Sequence, residues 1–356
     1  MATMRAARMH GYKQPLRLEE IPIPDIEPNQ VLIKVGGAGM CRTDFQLIDG
    51  YFSLPMPLPV TPGHEVAGTI DRIGADVPAS AGLSEGARAV VFGPLGDGSC
   101  RQCHRGNEQI CNQGHWVGFG PHGGYAEYVP VAHQQVIPVG ADLSPVSLAP
   151  LTDAGLTPYR GLKKLRAAGV LGPGTTLAVM GVGGLGAYAV QYAKLLGSGA
   201  TVVAFARSDE KLALATENGA DHTVNTRGRS DDQVRDALEQ ATGRREVDAV
   251  IECVGAEESI RLAFALLATE GAVASVGLVG NRVDIPLFPL VGREYTFFGS
   301  FWGNYTDLTE VVALAEAGKI KDSVTQVRFE DVNDHIDALG RGDFVGRAVI
   351  VYDRVR

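Results

Sequence analysis

Three groups of residues in this chain have the side chains and the spacing to do chemistry. The first joins Cys41-Arg42-Thr43-Asp44, a thiol beside a hydroxyl in a turn after Gly39, to Gly63-His64-Glu65-Val66-Ala67-Gly68 further on. A borderline-soft ion such as zinc accepts thiolate, imidazole and carboxylate together. Cys41, His64 and one carboxylate therefore make a metal site with a coordination position left open. The second group is Asp97, Cys100, Cys103 and Cys111, an acid and three thiols crowded into one short segment. Three thiolates and a carboxylate satisfy four-coordinate zinc, which is the character of a structural site, and a metal-free lobe is the alternative. His104 is an alternative fourth ligand, although its place directly after Cys103 makes simultaneous ligation awkward.

The third group, Gly181-Val182-Gly183-Gly184-Leu185-Gly186, is a G-x-G-x-x-G sequence. Its glycines allow a tight turn and bring backbone N–H groups against a pyrophosphate at a helix N-terminus. The motif alone is weak, and a glycine-rich turn without a ligand is the plain alternative. An apolar run before it and a helical stretch after it weigh for a dinucleotide. About twenty residues on, where an acid would hold a ribose 2′-hydroxyl, the chain reads Ala206-Arg207-Ser208. With no carboxylate to repel a 2′-phosphate and two donors beside it, the balance favours NADP over NAD. An Arg207 that points only into water is the alternative.

These groups need elements to position them. Up to about residue 150 the chain is rich in Gly and Pro, with short apolar runs at 31–35 and 89–92, the cue for an irregular, mainly β fold. Beyond it, buried parallel strands are expected at 175–180, 201–205, 248–253 and 272–276, with helices at 186–196 and 209–218. Alternating strands and helices imply a doubly wound, Rossmann-type parallel sheet, so the fold class is α/β. One further helix at 309–317 and a last strand at 348–352 are expected to return to the first domain. The chain thus divides into 1–152, with a metal-binding lobe at about 93–115, then 153–297, then 298–356.

Composition narrows the function classes. The 356 residues exceed what one hydrophobic core usually serves, and 45% apolar with 21% charged residues is ordinary for a globular protein. A formal net charge of -9 offers no basic face, which argues against nucleic acid and anionic membrane as partners. Residues 1–10 lack the apolar core of a secretion signal, and the apolar stretch at 175–190 falls short of the ~18 residues of a membrane span. An odd set of five cysteines, three of them crowded, fits metal binding in a reducing cytoplasm better than a disulfide framework.

Gly63, His64, Glu65, Gly68, Gly74 and Val77 match every fixed position of the G-H-E-x2-G-x5-G-x2-V signature, and here the chain resembles the zinc-containing alcohol dehydrogenases of the medium-chain dehydrogenase/reductase superfamily. The resemblance runs over essentially the whole chain. It includes Leu151-Thr152-Asp153-Ala154-Gly155-Leu156-Thr157-Pro158-Tyr159, similar to bacterial members with Asp as third zinc ligand. It implies a GroES-like catalytic domain beside the Rossmann domain. Cys41, His64 and Asp153 would hold the catalytic zinc, with Glu65 an alternative or transient ligand, and Asp97, Cys100, Cys103 and Cys111 would hold a structural zinc. Asp153 has another reading as N-cap of the following helix.

By the same resemblance Thr43 is the proton-relay hydroxyl, leading through the nicotinamide ribose toward solvent, or else a plain turn residue. Relatives carry His where this chain has Gln46, which cannot titrate near neutrality. Arg42 and Thr157 are cofactor contacts, and Asp44 orients the metal-bound imidazole, although Arg42 and Asp44 could equally be surface charges. The implied reaction interconverts an alcohol and its ketone or aldehyde. A medium-sized hydrophobic, secondary alcohol is favoured if Phe45, Tyr51, Trp116, Phe301 and Trp302 converge. The resemblance also implies a homodimer or homotetramer, with segments 283–285 and 295–299 as candidate edges. A zinc-free quinone or enone reductase on the same fold, and a dinucleotide-binding protein without catalysis, are the competing readings.

Overall fold

Two patterns of hydrophobicity become two different sheets. The computed structural model describes residues 2–52, 54 and 56–352. From the N-terminus the strands are β1 (Thr3–Arg8), β2 (Arg17–Pro22), β3 (Gln30–Met40), β4 (Glu65–Ile73), β5 (Arg88–Val91), β6 (Pro94–Leu95), β7 (His115–Trp116), β8 (Tyr128–Ala132) and β9 (Val136–Pro138), with helices α1 (Arg42–Asp49) and α2 (Pro145–Leu148). Next come α3 (Leu156–Ala167), β10 (Thr176–Met180), α4 (Gly184–Leu196), β11 (Thr201–Ala206), α5 (Asp209–Glu217), β12 (His222–Asn225), α6 (Asp231–Thr242) and β13 (Val247–Glu252). They are followed by α7 (Glu257–Leu266), β14 (Leu267–Ser275), α8 (Leu287–Gly292) and β15 (Thr296–Gly299). The chain closes with α9 (Tyr305–Glu316), β16 (Val324–Arg328), α10 (Val332–Arg341) and β17 (Arg347–Val351).

These elements form two units: residues up to Ala154 together with those from Asn304 onward, and Gly155–Gly303. The first unit is the GroES-like part. Its seven-stranded sheet has the order β16-β17-β3-β4-β5-β9, with β8 also paired to β3. The C-terminal strand enters the middle of this sheet, Ala348 pairing with Met40 and Ile350 with Ala38. Val31, Ile33, Val66, Ile70, Val91, Val129 and Ile350 share one apolar core. Asp153, expected at the head of the second domain, lies with the first unit, because Cys41, His64 and Arg347 draw its side chain there.

The second unit is the Rossmann-type part, six strands in the order β12-β11-β10-β13-β14-β15, all pairs parallel. Every residue of β10 is buried, as a strand with helices over both faces requires. The order reverses between β10 and β13, the switch point where ligands bind on such sheets.

Four elements illustrate departures from expectation. α9 begins at Tyr305 rather than 309, since Asn304 Oδ1 accepts the Asp307 N–H at 2.8 Å and the Asp307 carboxylate accepts the Asn304 N–H at 3.1 Å. β14 begins at Leu267, ahead of the apolar run at 272–276. The tail also holds β16 and α10, whose buried Val332 and Ile336 sit one turn apart on a polar helix. Among the described residues no helix is long and apolar enough to cross a membrane.

Candidate active site

Cys41 reaches His64 because β3 and β4 are antiparallel neighbours, Gly39 opposite Glu65. A Cβ at position 39 would stand 1.8 Å from Glu65 Oε2, so only glycine lets this acid settle there. Asp153 completes the group. Its Oδ2 lies 3.5 Å from Cys41 Sγ and 3.4 Å from His64 Nε2. Tetrahedral zinc with ordinary bond lengths sets such sulfur–oxygen and nitrogen–oxygen separations at about 3.6 and about 3.4 Å. One ligand atom each from Cys41, His64, Glu65 and Asp153 lies within 4.8 Å of the others. The donor set fits zinc. Asp153 is not the N-cap of α3, a place taken by Gly155.

The surroundings of these ligands are polar and buried. Asp44 Oδ1 lies 3.2 Å from His64 Nδ1, while its Oδ2 accepts the Tyr125 hydroxyl and the Cys41 N–H, each at 2.8 Å. With a carboxylate on Nδ1 the network assigns the imidazole proton to that nitrogen, leaving the Nε2 lone pair toward Asp153. Asp44 is thus no surface charge. Burial disfavours a charged His64 ring, but Asp44 and Asp153 draw it well above its ordinary range, the negative field a cation would meet here.

Sequence reasoning missed Arg347. Its Nε donates to both oxygens of Glu65 at 3.1 and 3.0 Å, and its Nη2 donates to Glu65 Oε1 and, at 3.2 Å, to Asp153 Oδ2. Ala154 N–H also donates to Glu65 Oε1 at 3.0 Å. Burial lifts the Glu65 carboxyl to about 7 against the pull of Arg347. The acid expected as an alternative metal ligand is therefore held by three sets of N–H donors. An available signal was an arginine opening the otherwise apolar Ala348-Val349-Ile350-Val351.

Thr43 sits in the first turn of α1 with Oγ1 3.3 Å from Cys41 Sγ, and Gln46 is buried further along the helix. Arg42 Nη1 donates to Leu339 O at 3.1 Å, while its Nε is buried without a hydrogen-bond partner. The expected aromatic group divides between the two units. Phe45 packs over Gly340, where a Cβ would come within 2.6 Å of its ring, and Trp116 Nε1 donates to Gln109 O. The ring beside His64 is Phe119, 5.2 Å between centroids, continued by Phe52 and Tyr51. Phe301 and Trp302 belong to the second unit, their rings 6.0 Å apart.

The second cluster is built locally. Cys100 Sγ lies 3.6 Å from Cys103 Sγ and 3.7 Å from Cys111 Sγ, close to the about 3.8 Å between thiolates on tetrahedral zinc. Asp97 Oδ1 accepts the N–H groups of Ser99 at 2.8 Å and Cys100 at 2.9 Å, and these bonds hold its carboxyl down at about 2. Asp97, Cys100, Cys103 and Cys111 again fall within 4.8 Å, and His104 is not in that group. This set too fits zinc.

In the second unit the glycine turn has three distinct glycines. Gly181 has φ +86°, a Cβ on Gly183 would meet nothing, and one on Gly186 would lie 1.9 Å from Gly181 O. Turn, open approach and close helix–strand packing are what a pyrophosphate-binding turn asks of its three glycines. Gly184 and Leu185 open α4 with no side-chain cap, leaving its first N–H groups for an anion. β11 ends at Ala206, Arg207 is exposed, and Ser208 precedes α5 without capping it. Thr157 is buried in the first turn of α3. Segment 295–299 holds the edge strand β15, whereas 283–285 forms no strand.

Hydride chemistry at a metal-competent centre, with a nicotinamide dinucleotide as the second reactant, is the class these two units point to. Residues 27–141 match the model of the alcohol dehydrogenase GroES-like domain, and residues 184–317 that of the zinc-binding dehydrogenases. The chain is 39% identical to an NAD-dependent alcohol dehydrogenase of Sulfurisphaera tokodaii, over 98% of this chain and 100% of that one. It is 34% identical to a D-arabinose 1-dehydrogenase (NADP(+)) of Saccharolobus solfataricus, over 98% of each. Its structure matches the alcohol dehydrogenase of Aeropyrum pernix with a TM-score of 0.90 at 36% identity, covering 98% of this chain and 100% of that one. The chain belongs to the zinc-dependent alcohol dehydrogenase family of the medium-chain dehydrogenases/reductases. It is an oxidoreductase between alcohols and NAD(P).

Proposed function

We propose that this enzyme is zinc-dependent, that Cys41, His64 and Asp153 hold the catalytic ion, and that its substrates are medium-sized hydrophobic secondary alcohols and their ketones. The carrying observation is the convergence of thiol, imidazole and carboxylate at zinc-like separations in a buried site. When bound, zinc polarises a carbonyl oxygen and acidifies an alcohol. Asp44 keeps His64 in one tautomer and orientation, and Arg347 balances Glu65 and Asp153 so that the site is not over-charged. Thr43 Oγ1 accepts the alcohol proton as it passes its own hydroxyl proton on, and because Gln46 cannot titrate, water carries that proton onward. Phe119 and Phe52 supply the apolar wall that favours a hydrophobic substrate over a polyol. Asp97, Cys100, Cys103 and Cys111 hold a second, structural zinc.

For the cofactor we favour NADP. Ala206 removes the acid that would hold a 2′-hydroxyl and repel a 2′-phosphate, and Arg207 with the uncapping Ser208 stand beside it as donors. The S. tokodaii relative is named for NAD and the S. solfataricus one for NADP(+), so the family accommodates both. Arg42, with its orphaned buried Nε, and Thr157 are further cofactor contacts. The working form is a homodimer or homotetramer in the cytoplasm. Support for association comes from edge strand β15 and from α8, where Leu287, Phe288 and Val291 are 71%, 87% and 68% exposed.

The test is zinc analysis with NADPH and NADH oxidation over a ketone panel. Two zincs per chain, ketone-dependent turnover and a higher kcat/KM with NADPH are expected, and Ala206→Asp should reverse the cofactor ratio. Turnover of a quinone or enone without zinc sinks the reading.

A further inference from the structure

Glu252 is a fully buried acid with no part in the metal chemistry, and its position is the end of β13 at the switch point. In register across three strands stand Met180, Glu252 and Ser275. Met180 is the residue before the glycine turn. The Glu252 carboxylate gathers the chain around it: Oε1 accepts the N–H of Val254 at 2.9 Å, that of Gly255 at 2.9 Å and the Ser259 hydroxyl at 2.8 Å. Oε2 accepts Gly255 N–H at 2.8 Å and the Ser275 hydroxyl at 3.4 Å. Burial pushes this carboxyl up while these donors pull it down.

The loop so held is the wall of the glycine turn. Cys253 N–H donates to Met180 O at 2.9 Å, and Val254 Cγ2 stands 2.3 Å from where a Gly181 Cβ would be. On its other side Val254 O accepts the N–H of Val279 at 3.0 Å, and Gly255 O accepts that of Gly280 at 2.7 Å. Gly255 and Gly277 pack backbone to backbone. One carboxylate thus sets the height of the 253–256 loop against Gly181, and a buried, fully bonded acid is an expensive way to do so unless the position matters.

We infer that Glu252 is a positioning residue for the dinucleotide, its carboxylate fixing the 253–256 loop that shapes the Gly181 turn. The inference rests on that turn holding a nicotinamide dinucleotide. In Glu252→Gln the amide carbonyl can keep the Oε1 bonds, but the amide NH2 then faces the Gly255 N–H, donor against donor, and displaces the loop. Ser259→Ala removes one donor and leaves the carboxylate in place.

The experiment titrates NADPH, by its fluorescence, into zinc-loaded full-length wild type, Glu252→Gln and Ser259→Ala, with thermal unfolding and zinc content measured alongside. The Kd for NADPH should rise about tenfold in Glu252→Gln and about threefold in Ser259→Ala. In steady state the KM for NADPH rises in step, while kcat at saturating NADPH and the KM for the ketone stay at wild-type values. Wild-type Kd in both variants, or a lower melting temperature with unchanged Kd, overturns the inference. Should Glu252→Gln not fold, Ser259→Ala decides by the same criterion. Where wild type binds NADH and not NADPH, the same titration is read with NADH; a wild-type protein that binds neither overturns the dinucleotide reading instead.

Discussion

The first unit carries two sets of four metal-competent residues, and they are held in opposite ways. Cys41, His64, Glu65 and Asp153 come from distant parts of the chain and are clamped by buried neighbours: Asp44, Tyr125 and Arg347. Asp97, Cys100, Cys103 and Cys111 are close in sequence, joined by the two-residue strands β6 and β7, by short turns and by the Asp97 Asx bonds. The first set is held by side-chain contacts of the fold itself. The second has little apolar core of its own, so an ion there contributes to folding of the lobe.

That contrast can be broken or sharpened by mutation. His64→Ala removes a ligand from the first site, and kcat/KM should fall about a thousandfold or more while the circular dichroism spectrum is kept. Retained turnover would place the chemistry elsewhere. Arg347→Met leaves Glu65 buried without its cation and should cost about 3–5 kcal/mol in urea unfolding, with Glu65→Gln recovering part of it in the double variant. Asp44→Asn keeps the side chain's volume but frees the His64 ring, so affinity for zinc at this site should weaken about 10–100-fold in competition with a chelator.

Asp97→Ala should act on the other site alone. Zinc content drops by one per chain and the lobe becomes sensitive to proteolysis, with ketone reduction retained at low temperature. Equal loss of both ions would abolish the distinction drawn above. The smallest effect belongs to a surface pair in the second unit. Burial lifts the Asp221 carboxyl, but Lys194 Nζ at 2.7 and 2.8 Å and the Val202 N–H at 2.8 Å outweigh it and hold it below its ordinary range. Its stabilisation is present above the unfolded carboxylate value and is lost as pH falls through the folded one. Asp221→Asn should therefore lower the stability at pH 6 by less than about 1 kcal/mol, and converge on wild type in acid where the carboxyl is protonated in both states.

What could be read from the residues follows the same division. The glycine turn, the cysteine lobe and the His64 motif are local patterns, and each appears as a short string with its chemistry visible. The α/β fold class was legible from the alternation of strand and helix beyond residue 155. Arg347 and Phe119 were not, because their roles come from pairing β17 with β3 and from the loop that brings a ring to His64. Phe45 has the composition of a pocket residue, and its packing over Gly340 is likewise a contact that no local pattern shows. The start of α9 was missed because Asn304 and Asp307 form a capping box with an acid in place of the commoner Glu or Gln.

The strand that carries Arg347 comes last in chain order among the described strands, yet it lies inside the sheet between β16 and β3. On the ribosome the contiguous Gly155–Gly303 unit can finish before the first unit can, since the latter needs both ends of the chain. The earlier strands of that unit must wait with Ala38–Met40 of β3 unpaired on the edge whose first half β8 covers, exposed to other nascent chains or to a chaperone. Arg347 therefore reaches Glu65 and Asp153 only after β17 has paired with β3, so the charge balance of this site is set later than the fold of the Gly155–Gly303 unit.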